Sequence, residues 1–301
     1  MPSSPSSAEG QIVSAHGRHV VVENAAAGRV LCYVRGKRSD AVVGDRVRWQ
    51  RSGDEGVVEQ VLPRRNLLYR QDEWKTKAFA ANIDQLLVVV AAEPVFSESQ
   101  LARALIAAAD AAIPARILLN KRDLPAFAAA RERLDPYAAI AIDIVEAALK
   151  RDPVDASTRL APVLAGQATL VLGPSGAGKS TLVNLMVPDA RAQTGEISQA
   201  LRTGRHTTTV TAWHWLDHAR TSALIDSPGF QEFGLRHIET GRLAALMPDI
   251  ARHAGACRFY NCTHLHEPGC GVLAALERGE IAPSRHRIYG EIFAELQARP
   301  G

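Results

Sequence analysis

The 301 residues read as three parts in chain order: a small all-β barrel, a central α/β domain on a mainly parallel sheet, and a mostly helical module around a metal site. Three observations carry this reading. Roughly five short alternating strands crowd the first sixty or so residues after a Ser/Pro-rich start. A β-α-β-α-β alternation follows and leads into a glycine-rich loop, as parallel sheets with helices on both faces require. Near the C-terminus, three of the four cysteines and a histidine fall within one short window.

Residues 1–10 have no apolar run and are expected to be a disordered leader rather than a signal peptide. Residues 11–74 hold the candidate strands Gln11–Val13, His19–Val22, Arg29–Val34, Asp45–Trp49 and Gly56–Val61. About five short strands with turn signals between them fit a Greek-key barrel of the OB-fold type, the usual small barrel for oligonucleotides. Gln11–Lys77 carries 13 Lys/Arg against 8 Asp/Glu, so it holds +5 in a chain whose net charge is +3. Segregated basic charge on such a barrel points to RNA, with a solvated structural barrel as the plainer alternative. Cys32 reads as an ordinary strand residue. Residues 75–81 are expected to be a linker.

The central domain is expected over residues 82–234, with Gln85–Val90 and Ile117–Leu119 as strands and Glu98–Ala112 as an Ala-rich helix. Its strongest motif is Gly173-Pro174-Ser175-Gly176-Ala177-Gly178-Lys179-Ser180-Thr181, which follows the apolar run Ala168–Leu172 and opens a helix. Glycines let backbone N–H groups curl around phosphate oxygens, and the helix N-terminus adds positive potential. Lys179 would reach the β- and γ-phosphates, and Ser180 would place its hydroxyl on Mg²⁺. A second apolar strand, Ser222–Ile225, ends in Asp226-Ser227-Pro228-Gly229. Asp226 is placed to hold Mg²⁺ through water, and Gly229 to offer its N–H to the γ-phosphate.

A third strand, Ala115–Leu119, ends in Asn120-Lys121-Arg122-Asp123. A carboxylate there can accept from N1–H and the exocyclic amine of guanine. Adenine lacks that donor pair and would leave a buried polar edge unpaired. The base is therefore guanine, and a P-loop ATPase or kinase is disfavoured. The order of motifs is unusual, because the guanine loop precedes the phosphate loop and the Asp-x-x-Gly motif. Joining the old domain ends and reopening the chain elsewhere preserves the site, and domain termini are commonly close enough to allow it. The domain is thus predicted to be a circularly permuted P-loop GTPase.

Two departures from the ordinary GTPase pattern stand out. Phe230 occupies the place where a glutamine often orients the attacking water, so unaided turnover should be slow. Gly204–Thr209 is the natural switch I, in which Thr208 could meet Mg²⁺ and the γ-phosphate and His206 could position water. Between Asp123 and Gly173, the stretch Ala139–Leu149 shows no clear Ser-Ala-type loop, so that guanine contact is left unassigned.

Residues 235–301 are expected to be helical around Cys257-x₄-Cys262-x-His264-x₅-Cys270, a Cys₃His set suited to one structural zinc. His266 is an alternative fourth ligand. Helix-compatible spacing appears at Leu243–Met247, Val272–Arg278 and Arg287–Gln297. The longest apolar run, Leu86–Ala92, is too short to span a membrane.

The reordered motifs, the barrel and the Cys₃His module together resemble the ribosome small-subunit-dependent GTPase A family from about Gln11 to Tyr289. The similar stretches are Ala80–Gln85, Asn120–Asp123, Gly173–Thr181, Gly204–Thr209, Asp226–Gly229 and Cys257–Cys270. The resemblance implies a cytoplasmic, membrane-free GTP hydrolase, expected to be a monomer. Its partners would be the 30S subunit and 16S rRNA, GTP and GDP, with Zn²⁺ on the four ligands and Mg²⁺ beside GTP. It further implies binding late in subunit maturation and release of assembly factors. A GTP-gated RNA-binding module in which hydrolysis is incidental is the alternative, kept open by Phe230.

Overall fold

A computed structural model describes residues 7–16, 19–35, 40–71, 76–187, 211–227 and 235–298. The barrel strands are β1 (Ala8–His16), β2 (His19–Asn24), β3 (Gly28–Val34), β4 (Arg46–Ser52) and β5 (Glu55–Val61). They run in the order β1-β2-β3-β5-β4, with β3 parallel to β5 and β4 closing back on β1. Along β4 the alternation is strict: Arg46 and Arg48 face water while Val47 and Trp49 are buried. Trp49 and Cys32 fill the interior with Ile12, Val20, Val22 and Val58. Gly56 is required by that packing, since a Cβ there would lie 2.5 Å from Cys32 Sγ and 2.8 Å from the Trp49 ring. Burial pushes the Cys32 thiol up to about 12, consistent with an inert core cysteine.

Two boundaries differ from the sequence expectation. The expected leader extended to residue 10, yet β1 begins at Ala8, because Ala8–Gln11 pair with Trp49–Arg46 and close the barrel. The expected linker at 75–81 is largely a strand: β6 (Leu67–Gln71) and β7 (Thr76–Ala81) form an antiparallel hairpin. Phe79, Ala80 and Leu68 sit in the main core, and Ala81 is fully buried. The Ala-rich run has weak β propensity, and only tertiary burial makes it a strand. The hairpin also clasps the barrel, with Ala81 N–H donating to Val43 O (2.9 Å) and Asn82 Nδ2 donating to Gly44 O (2.9 Å).

The α/β domain comprises β8 (Gln85–Ala91), α1 (Glu98–Asp110), β9 (Ala115–Asn120), α2 (Phe127–Glu132), α3 (Asp135–Ala138), β10 (Asp143–Glu146), α4 (Pro153–Leu164), β11 (Ala168–Leu172), α5 (Lys179–Met186), β12 (Ala212–Trp215) and β13 (Ala223–Asp226). Strand order is β10-β9-β8-β11-β13-β12; the first five are parallel and β12 is antiparallel. Every residue of β8 and β11 is buried, as expected of central strands covered on both faces.

The outer strand β12 meets the barrel at Ser14↔Ala212, and Ser14 Oγ donates to Thr211 O (3.2 Å). Beside this joint the buried Glu23 carboxylate accepts from Arg29 (3.0 Å), Trp215 Nε1 (3.0 Å) and Arg220 (2.9 Å).

The C-terminal segment forms short 3₁₀ turns at Thr240–Arg242 and Ala244–Leu246, then α6 (Pro248–Ala254), α7 (Gly271–Glu277) and α8 (Pro283–Gln297). The helical spacing at Leu243–Met247 is thus realised as 3₁₀ turns. The module shares one hydrophobic core with the α1 face of the sheet. At that contact Arg285 Nε and Nη2 donate to Asp249 (2.7 and 3.0 Å), and the guanidinium lies 4.9 Å from the Tyr137 ring centre. Arg285 is 2% exposed and Asp249 5% exposed. No helix among the described residues is long and apolar enough to cross a membrane.

Asp249→Ala leaves the Arg285 charge buried and uncompensated, so it is expected to cost about 3–5 kcal/mol. Chemical denaturation of the two proteins measures the difference, and a loss below about 1 kcal/mol would contradict the packing described.

Candidate nucleotide site and metal centre

Parallel strands deliver the candidate residues to one edge of the sheet. Asn120 is the last residue of β9, Gly173 follows β11, and Asp226 is the last residue of β13. The crevice beyond the carboxyl ends of parallel strands is where open α/β sheets bind ligands.

The phosphate loop is built by close approach. Gly173 has φ 153°, and a Cβ there would lie 2.1 Å from Val89 O. Gly178 (φ 116°) caps α5, and a Cβ there would sit 2.2 Å from Asn120 Nδ2. Helix α5 therefore starts at Lys179 with its N-terminus turned to the loop, the arrangement that favours anions. Lys179 is buried, and its Nζ donates to Gly173 O (2.7 Å) and Pro174 O (3.0 Å). Burial lowers its pKa, while the Asp226 charge opposes that shift. Burial likewise pushes the Asp226 carboxyl up to about 6, against the pull of Lys179 and of the Ser227 N–H. Ser227 Oγ donates to Val171 O (2.9 Å) and fixes the end of β13. Ser175, Gly176 and Ser180 are exposed on the open side of the loop, while Ala177 is buried beneath it.

Asn120, 4% exposed, connects two loops. Its Nδ2 donates to Ala177 O (2.8 Å), and its Oδ1 accepts from Leu149 N–H (3.1 Å). Lys121 adopts φ 64°, and its Nζ donates to Glu93 O in the turn after β8. Arg122 N–H donates to Ala147 O (3.0 Å), and Ala147 N–H donates to Leu119 O (3.0 Å). Asp123 is exposed in the turn that follows β9.

The stretch 139–149 contains strand β10, and the residues just after it, Ala147–Leu149, lie against the Asn120 loop. Glu146-Ala147-Ala148 carries no serine, so residue types alone do not single this segment out. The available signal was positional: a short Asp143–Glu146 strand followed by an Asp152-Pro153 helix start. Gly229, Phe230, His206 and Thr208, with the rest of Gly204–Thr209, lie outside the described residues.

Away from this edge, the ligand atoms of Cys257, Cys262, His264 and Cys270 all lie within 4.8 Å of one another. Cys257 Sγ is 3.4 Å from His264 Nδ1 and 3.8 Å from Cys270 Sγ, and Cys270 Sγ is 3.7 Å from His264 Nδ1. Zinc–sulfur and zinc–nitrogen bonds in a tetrahedron give ligand–ligand edges of about 3.5–3.8 Å, so the group fits that metal. A Cys257–Cys270 disulfide is excluded by the 3.8 Å separation. His264, at φ 64°, supplies the nitrogen; His266 is exposed and outside the cluster. The Glu267 carboxylate braces the loop by accepting from Thr263 N–H (2.7 Å), Thr263 Oγ1 (2.5 Å), and the N–H groups of Leu265 and His266 (3.3 Å each). From α8, Tyr289 Oη donates to Thr263 O (2.9 Å).

Residues 61–236 match the family model described as RsgA GTPase. The chain belongs to the RsgA GTPase family. It is similar to the small ribosomal subunit biogenesis GTPase RsgA of Variovorax paradoxus (strain S110), with 59% identity covering 96% of this chain and 92% of that protein. The protein of the same name from Burkholderia pseudomallei (strain 1710b) is 54% identical over 96% of this chain and 92% of its own. Among solved structures, YjeQ from Thermotoga maritima aligns with a TM-score of 0.74 and 30% identity, covering 98% of this chain and 100% of that one. YloQ, described as a circularly permuted GTPase, aligns with a TM-score of 0.70 and 26% identity, covering 98% and 97%. The family makes this chain a GTP-hydrolysing enzyme, and the permuted order read from its motifs agrees with the description of YloQ as circularly permuted.

Asn120→Ala removes both buried bonds and leaves Ala177 O and Leu149 N–H unpaired. The expected cost is about 2–4 kcal/mol of stability, with weakened GTP binding. Denaturation and nucleotide titration check both, and unchanged values would show that the bridge does not hold the loops.

Proposed function

We propose that this chain binds GTP with Mg²⁺ at the carboxyl edge of its parallel sheet and hydrolyses it while docked on the small ribosomal subunit during that particle's maturation. The observation that carries the nucleotide reading is the Asn120 bridge, which joins the candidate guanine loop to the phosphate loop. The relatives' name, small ribosomal subunit biogenesis GTPase, supports the place of action. In this reading Asp123 accepts from the guanine edge. Gly173–Thr181 wraps the phosphates, and Lys179 exchanges the carbonyls of Gly173 and Pro174 for β- and γ-phosphate oxygens. Mg²⁺ supplies charge neutralisation when bound, and Ser180 and Asp226 would hold it. Burial raises the Asp226 carboxyl, and a cation held there would favour its charged form.

The barrel is the RNA-facing part, reaching 16S rRNA through exposed basic residues such as Arg46 and Arg48 on β4. Zinc on the Cys₃His set is structural, since four protein ligands leave no open position for water. The chain acts in the cytoplasm as a monomer, and GTP turnover releases it or the factors it checks. A second reading, a GTP-gated RNA-binding module with incidental hydrolysis, is favoured by one observation: Phe230 stands where a water-orienting glutamine is common. His206 and Thr208 are the chain's own candidates to replace it.

Single-turnover hydrolysis separates the two readings. The free protein is expected to turn over at about 10⁻⁴–10⁻² s⁻¹. Small subunits should raise this at least about a hundredfold, and the gain should fall steeply with salt while the basal rate barely moves. No response to subunits would overturn the reading that hydrolysis is stimulated on the small subunit. Metal analysis of protein purified without chelator is expected to find one zinc per chain, lost in Cys262→Ser, and its absence would remove the metal assignment.

A further inference from the structure

The metal loop ends in a feature that the nucleotide site does not use. Between the ligands Cys257 and Cys262 run Arg258, Phe259, Tyr260 and Asn261. Tyr260 is fully exposed and Phe259 is 42% exposed. Exposed rings that are contiguous and flanked by polar residues mark interaction sites more often than rings exposed singly do. Their backbone is held at both ends: Arg258 N–H donates to Gly269 O (3.0 Å), and Cys262 N–H donates to Phe259 O (3.3 Å). The Arg258 guanidinium lies 5.5 Å from the Phe259 ring centre.

The surroundings favour a polyanion. From Ile250 to His266 the chain has two arginines and three histidines and no carboxylate. Arg252, Arg258 and His266 are exposed. The neighbouring carboxylates are engaged: Glu267 with the loop's own donors, and Glu280 with Arg278 (2.8 Å) and His253 (3.7 Å).

We infer that Arg258, Phe259 and Tyr260 form a stacking platform for an unpaired nucleobase of RNA. An aromatic ring beside a planar guanidinium matches the face of a base, and base faces are available only where RNA is unpaired. The loop is held before binding, so little ordering entropy is lost. A hydrophobic protein patch fits less well, since the exposed residues that flank the two rings in the chain are Arg258 and Asn261 rather than aliphatic. The inference rests on the proposed action on RNA, and it adds a contact remote from the basic barrel.

The test uses the full-length, zinc-loaded chain and fluorescence anisotropy with two probes: a short single-stranded oligoadenylate and a blunt RNA duplex of equal length. Tyr260→Ala should weaken single-strand binding about tenfold, within the range of one base–aromatic stack. Tyr260→Phe should bind as the parent does. Duplex affinity and the salt slope should be unchanged, because no phosphate contact is lost. Zinc content should also be unchanged, because the side chain stands free of the core. The platform is overturned if the parent does not bind the single strand, if Tyr260→Ala binds it as tightly as the parent, or if both probes weaken together. It is also overturned if Tyr260→Ala weakens binding to small subunits alone, which would indicate a protein contact. Subunit-stimulated hydrolysis of the parent is measured separately, so failure of the proposed function and failure of the platform are told apart.

Discussion

The site depends on one buried amide. Asn120 ends a central strand and has almost no exposure, so both ends of its side chain must find partners inside the protein. It finds them in Ala177 O, under the phosphate loop, and Leu149 N–H, beyond β10. Three segments far apart in sequence are thereby held to one geometry. The close fit extends to Gly178, where no side chain could coexist with the Asn120 amide. This also explains why permuting the chain does no harm. The amide recognises segments at the carboxyl ends of strands in one parallel sheet, and the order in which those strands are synthesised is irrelevant to it.

The same logic of strand neighbours ties the barrel to the nucleotide edge. Strand β12 pairs with β13, so that Ala212 lies opposite Asp226, and the same Ala212 pairs with Ser14 of the barrel. Glu23, buried at that joint, holds arginines from two elements and the Trp215 indole. A carboxylate this buried is tolerable only with such donors, so the joint is specific as well as adhesive. The barrel is thus fastened to the strand next to the one that carries Asp226.

The metal module is fastened differently. It shares the hydrophobic core of the α1 face, and a deeply buried ion pair, Asp249 with Arg285, lies under Tyr137. The metal loop then projects outward from a fixed base. The turn between Cys257 and Cys262 is held by backbone bonds at both ends, with Phe259 and Tyr260 exposed on it.

Much of this was legible in the sequence because its signals are local. The phosphate loop requires glycines at fixed offsets between a strand and a helix, and Gly173–Ser180 shows them. The barrel strands alternate as a half-buried surface must, and Cys257–Cys270 carries a complete ligand set in fourteen residues. The sequence by itself therefore determined the fold class, the motif order that marks the permutation, and the three cysteines of the candidate metal set, all properties of short segments. Tertiary structure alone decided the rest. It turned the supposed linker Thr76–Ala81 into a strand, drew Ala8–Gly10 into the barrel, selected His264 over His266, and set Ala147–Leu149 against Asn120. In each case the deciding term is a partner brought near by the fold: a strand edge to pair, a core to fill, a tetrahedron to close or an amide to satisfy. Residue types within a short window do not carry that information, because burial and pairing energies belong to the contact between segments rather than to either one.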